Sequence, residues 1–196
     1  MTVHEVEILI EEAEKALSAG KNENPRKHGK LKRTEITEIA KSLPVDGVLA
    51  DELYRKPSEE LQLIAAMIDD PKSYTLDEIE LRSEQLHPTE IGTVFCRRVM
   101  AKSPHAVHFI SKWMDSKDSA RRCFAYLTLE ELAKKDGSLS QGFYRAHLRR
   151  IASEIKTETP SVQEAMSKAA AAIVKKVPDL ESTNKKELDA VRRFAT

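Results

Sequence analysis

Apolar residues recur along almost the whole chain with the period of an α-helix, and almost nowhere with the alternation of a strand. In the first segment Val6, Ile8, Leu9, Ile10, Ala13 and Leu17 form one stripe, and Gly20 is a natural stop. After a polar stretch, Thr34 is placed to cap a short helix through Ser42, which Pro44 ends. A helix over 46–56 carries Val48, Leu49, Leu53 and Tyr54. Ser58 starts a strongly apolar helix that Pro71 terminates, and Thr75 with Glu78 predicts a capping box for a helix over 76–86. Pro88 stands where the first residue of the next helix belongs, and that helix runs to Lys102. Ser103-Pro104 repeats the device before a helix ending at Trp113.

A long helix is predicted over 118–135, closed by Asp136-Gly137, and another over 140–156 with Phe143, Leu148 and Ile151 inward. Thr159-Pro160 opens an Ala-rich helix through Val177, Pro178 breaks it, and KELDAVRRFA closes the chain as a final amphipathic helix. The pattern is all-α, with about ten helices whose pairs are each too thin to bury themselves alone. Such a series stacks as an α-solenoid of antiparallel helix pairs, the HEAT-like or armadillo-like architecture, with a compact irregular bundle as the alternative. The expected organisation is a single repeat domain over 1–196. It comprises N-terminal helices and a basic loop over 1–42, a core over 43–177 and a C-terminal helix over 178–196.

Composition narrows the function classes. The charged fraction is 33%, and 32 basic residues balance 32 acidic ones. A net charge of zero argues against a surface that is all nucleic-acid clamp and leaves local patches. One such patch is Lys21–Arg33, where Lys21, Arg26, Lys27, Lys30, Lys32 and Arg33 face only Glu23, a local charge of +5. It reads as a solvated loop or as a phosphate-facing one. No apolar run is long enough to span a membrane, and the acidic, amphipathic N-terminus is unlike a targeting peptide. Cys96 and Cys123 lack metal-ligand spacing and read as small core residues of a reduced, cytoplasmic protein. His105 and His108 share a helix face but lack further ligands, so no metal is expected. Nothing resembles a Gly-rich phosphate loop, so no cofactor is expected either. Basic pairs Arg97-Arg98, Arg121-Arg122, Arg149-Arg150, Lys175-Lys176 and Arg192-Arg193 lie near helix ends, where most read as solvated charges. Arg121-Arg122 differs because it opens a helix, where cations are mildly unfavourable, so a phosphate contact fits better there.

From Leu49 the residues become more specific. The stretches LADELYRKPSEELQLIAAMIDDPKSYTLDEI and FCRRVMAKSPHAVHFISKWMDSKDSARRCFAYLTLEELAKKD resemble the bacterial DNA alkylation repair family, the HEAT-like alkylpurine DNA glycosylases. The shared landmarks are the LA-x-x-L-aromatic run, the helix ending in DDP, Phe-Cys before a KSP turn, the Ile-x-x-Trp helix end and the Arg-Arg-x-x-Ala helix start. The resemblance covers about 43–177 and implies a helical solenoid that grips duplex DNA without regard to sequence. It also implies excision of N3- and N7-alkylated purines. Aromatic faces would hold the cationic base, and a carboxylate would stabilise the oxocarbenium-like sugar.

The chain departs from that pattern where the chemistry sits. The family's Trp-x-x-x-Asp motif falls on Thr89 and Thr93, and the neighbouring carboxylate is Glu90, out of register by almost one turn. Tyr54 partly matches the aromatic after the LA-x-x-L run, and Arg121 and Arg122 keep the arginine pair. Loss of one transition-state contact of this type costs about 10²–10³ in rate. The expectation is therefore a DNA-binding scaffold with weak or lost excision. Its DNA contacts would come from Arg121, Arg122, Tyr54, Arg97, Arg98, Arg149, Arg150, Lys27, Lys30, Lys32 and Arg33. An active glycosylase using Glu90, and a HEAT-like scaffold for a protein partner, are the alternatives.

Overall fold

The computed structural model describes residues 1–19, 31–86, 89–135 and 137–178, together with 189 and 191. Gly20, Lys27, Lys30, Pro88, Asp136 and most of the closing helix lie outside the described residues. Every regular element among them is helical: α1 Val3–Ala19, α2 Arg33–Ser42, α3 Gly47–Tyr54, α4 Glu59–Ile68, α5 Leu76–Gln85, α6 Glu90–Arg98, α7 Ala106–Met114, α8 Ser119–Lys135, α9 Gln141–Glu154 and α10 Pro160–Lys176. Short 3-10 turns follow α6 at Met100–Lys102 and α9 at Ile155–Thr157. The helices divide into two compact units, Met1–Tyr74 and Thr75–Thr196.

In the first unit α3 and α2 pack on α4, which buries Leu61, Leu63, Ile64, Ala65, Ala66 and Ile68. Local chemistry sets the helix starts. Asp46 accepts from Val48 N and Leu49 N at 3.0 Å, satisfying N–H groups that have no intrahelical partner. Ser58 does the same for α4 through Leu61 N at 3.3 Å. The start of α2 differs from the sequence expectation, because Lys32 and not Thr34 is the capping residue. Glu35 reaches back to Lys32 N at 2.6 Å, which lets the helix begin before the threonine. Gly47 lies at the foot of α3, where an added Cβ would come within 3.1 Å of the Ser73 hydroxyl. Buried Asp69 closes α4 and accepts the Tyr74 hydroxyl at 2.7 Å.

In the second unit the expected capping box is present: Glu78 N donates to Thr75 Oγ1 at 3.3 Å and Thr75 N to Glu78 at 2.7 Å. Here α8 packs against α6, α7, α10 and the 3-10 turn after α6. It is buried continuously from Cys123 to Ala133, and Phe124, Ala125, Tyr126 and Leu129 are fully enclosed. A helix covered on every side needs apolar residues all round it, which is why α8 lacks the one-sided stripe of α7 or α6. Tyr144 of α9 donates to the Leu132 carbonyl of α8 at 3.2 Å. Cys96 and Cys123 are free and buried. Burial pushes the Cys96 thiol far above its ordinary range and Cys123 up to about 11, so both behave as apolar core side chains.

Removing the Phe124 ring should show how much rests on α8. Phe124→Ala is expected to lower unfolding stability by about 3–5 kcal/mol, read as a lower urea midpoint with an unchanged slope.

Candidate functional site

The corner where α7 meets α8 is held by a carboxylate that the sequence pattern does not single out. Trp113 is 1% exposed, with its ring 4.7 Å from Phe109 and 6.3 Å from Phe124. Its indole N–H donates to Glu80 Oε1 at 3.0 Å. Lys112 Nζ lies 2.8 Å from the same oxygen, and Arg121 Nη2 3.1 Å from Oε2. Arg121 also donates to Glu84 at 2.9 Å. Burial opposes the charge on Glu80, but hydrogen bonds from Lys112 and Trp113, with Arg121 nearby, hold its carboxyl below the ordinary 4.5. Glu80 and Glu84 are one turn apart on α5, so both meet Arg121 from one helix face.

Arg122 points elsewhere. Its Nε and Nη2 form a fork on Glu158 at 2.9 and 2.9 Å, and its Nη1 donates to the carbonyls of Ser116 and Lys117 at 2.7 and 3.0 Å. The pair is largely buried, with side-chain exposures of 18% and 12%. Arg150 acts similarly on the end of α7, donating to the Met114 carbonyl at 2.9 Å and to Asp115 at 2.7 Å. Its Nε is bound to Glu154 at 3.0 Å. Burial works against the Arg150 charge, but the hydrogen bonds it donates to Asp115 and Glu154 outweigh it and raise its pKa. Two arginines thus satisfy carbonyls at and after the C-terminal end of α7, groups that the helix itself leaves without donors.

The remaining expected contacts are dispersed. Tyr54 is buried at the end of α3 in the first unit. In that unit Lys32 is exposed and Arg33 is half-buried at the start of α2, while Lys27 and Lys30 lie outside the described residues. Arg149 is exposed on α9, beside the inward Arg150. Arg97 donates to buried Glu130 at 3.2 Å, and Arg98 is exposed at the end of α6.

The turn where the resembling glycosylases carry their catalytic pair is the start of α6. Thr89 is the capping residue and the helix begins at Glu90. Glu90 is exposed in that first turn, where a carboxylate complements the positive helix end. Thr93 is half-buried one turn on. Among the described residues this turn offers hydroxyls and one exposed carboxylate, and no aromatic ring to hold a cationic base. Among the described residues no group of His, Cys, Asp or Glu is arranged to hold a metal, and no helix is long and apolar enough to cross a membrane.

No protein-family model matches the sequence, and no curated protein matches it. Among solved structures, the chain is similar to one described as a new family of proteins related to the HEAT-like repeat DNA glycosylases with affinity for branched DNA structures. The TM-score is 0.76 at 19% identity, over 97% of this chain and 83% of that one. The fold is therefore of the HEAT-like class, as the stacking of short helix pairs predicts.

Two outcomes follow from this geometry. Arg122→Ala leaves Glu158 buried without its cation and should cost about 2–4 kcal/mol in urea unfolding. Lys168→Ala, which removes an exposed pair with Glu164 on α10, should stay within about 0.5 kcal/mol. The second outcome concerns His147, which packs edge-on to Phe143 with ring centroids 4.4 Å apart. Burial, and then the neighbouring Arg150, push this imidazole down to about 4 from its ordinary 6.5. Between those values the unfolded chain binds more protons than the folded one, so stability should fall as pH drops through that window. His147→Gln should flatten this part of the curve of melting temperature against pH.

Proposed function

We propose that this protein binds DNA without regard to sequence, with branched structures as its preferred class, and does not excise alkylated bases efficiently. The observation that carries the second half is the first turn of α6, which presents Thr89, Glu90 and Thr93 where the resembling glycosylases use a tryptophan and an aspartate. A hydroxyl cannot neutralise the positive charge that develops on the sugar as a carboxylate does, and nothing there stacks on a cationic purine. The first half is supported by the fold likeness, which extends over nearly the whole chain to a protein described as having affinity for branched DNA. Exposed basic side chains of this chain, Lys32, Arg98, Lys102 and Arg149 among them, are spread over several elements, an arrangement suited to phosphates more than to base edges. A branched molecule brings several duplex arms together and so presents more phosphates to a fixed set of cations than one linear duplex does.

Fluorescence anisotropy with a four-way junction and a linear duplex of equal length tests the binding half. Tighter binding of the junction, weakening steeply with salt, is the expected result. No binding to either at low salt would move the reading to a protein-interaction scaffold. Single-turnover incubation with a duplex containing 7-methylguanine tests the other half, and release should stay near the uncatalysed rate. Rapid release lost in Glu90→Gln would instead establish a glycosylase with a displaced carboxylate.

A further inference from the structure

We propose that the cleft at the C-terminal ends of α6 and α8 is a phosphate seat, and that this seat is where the second unit grips a nucleic-acid backbone. The backbone assignment rests on the DNA-binding reading above; the phosphate chemistry rests on the cleft itself. The cleft has a volume of about 260 Å³ and is lined by Arg97, Ala101, Lys102, Glu131, Leu132 and Lys135. At about 30 Å³ per water molecule it has room for a phosphodiester group and part of its hydration.

Three elements converge there. Arg97 from the end of α6, Lys102 from the 3-10 turn that follows and Lys135 from the end of α8 line it, with Arg98 and Lys134 next to them in sequence. These cations face two carboxylates, Glu130 and Glu131, both buried on α8. Glu130 is taken up by Arg97 at 3.2 Å and by Lys134, and Glu131 by Lys135. No carboxylate is left for Arg98 or Lys102, and neither forms an ion pair among the described residues. Arg97 adds a second sign of an incomplete set: its Nε is buried and has no hydrogen-bond partner. A bound oxyanion, or a water that it orders, would satisfy that N–H.

Helix-end electrostatics explain part of this arrangement and leave part unexplained. Cations in the last turn of α8 complement its macrodipole and pair one turn back with Glu130 and Glu131. Lys102 stands on a separate element, lines the same hollow and forms no ion pair among the described residues. The α7–α8 corner is the reverse case, since Glu80 and Glu84 already meet Arg121, and Glu158 meets Arg122. The α6–α8 cleft therefore differs from that corner in keeping Lys102 outside any ion pair among the described residues.

Two experiments separate this seat from the general DNA-binding reading. The first follows anisotropy of a four-way junction over a salt series for the full chain, for Lys102→Ala/Lys135→Ala and for Lys168→Ala. Each phosphate contact contributes about 0.9 to the log–log salt slope, so the double variant should lose roughly tenfold in affinity and nearly two in slope. Lys168→Ala should change neither. A double variant with the slope of the unaltered chain overturns the seat while leaving DNA binding intact. Thermal melting accompanies each variant, and Lys102→Ala alone, an exposed side chain without an ion pair, repeats the test at half the effect.

In the second experiment inorganic pyrophosphate is titrated into ¹⁵N-labelled protein. Amide shifts that saturate together at Ala101, Lys102 and Leu132 support the seat; shifts scattered over all lysines overturn it. Saturation there in a protein that binds no junction keeps the phosphate seat, assigns it to a small phosphate ligand and removes the DNA reading.

Discussion

The burial of α8 on every side is the constraint around which the second unit is arranged. A helix enclosed from Cys123 to Ala133 depends on α6, α7 and α10 together, because all three pack against it. Its enclosure also fixes what its polar residues must do. Glu130 and Glu131 lie inside that span, and a buried carboxylate without a cation is costly, so Arg97, Lys134 and Lys135 are drawn to it. The same packing therefore fixes both the apolar core and the position of the charges at its rim.

At the opposite end of α8 the charges are spent on architecture. Arg121 and Arg122 diverge: one ties α8 to α5 through Glu80 and Glu84, the other ties it to the approach to α10 through Glu158. Arg122 and Arg150 also cap the carbonyls at the end of α7. Arginine suits this task because its planar, fixed fork can bind a carboxylate and carbonyls at once. A corner that reads as cationic in sequence is close to neutral in space.

These two ends give the functional reading its shape. Excision of a cationic base needs an aromatic face and a carboxylate held beside the sugar, and the first turn of α6 holds threonines with a solvated glutamate. DNA binding asks less, namely cations that are free to meet phosphates, and at the α6–α8 end Arg98 and Lys102 form no ion pair among the described residues. Change at a few positions on one helix turn can remove chemistry while the stacked helices, whose stability lies in their packed faces, stay as they were.

Helical periodicity, together with the short capping signals of Asp46, Ser58 and Thr75–Glu78, made the elements and their all-helical stacking legible from the sequence alone, because those signals act within one turn. Where a local signal had a rival it misled: Thr34 is outcompeted by Lys32, whose backbone N–H is held by Glu35. The departure from the glycosylase pattern at Thr89 and Thr93 was legible too, since it is a matter of residue identity. Which basic pair stays free was not. Arg122 and Glu158 are 36 residues apart, Arg97 and Glu130 are 33, and no periodicity joins them. An arginine's partner is decided by which helices meet. For this protein the sequence determined the helices and which residues stand in the first turn of α6, and only tertiary packing decided which charges are consumed inside the fold and which stay exposed.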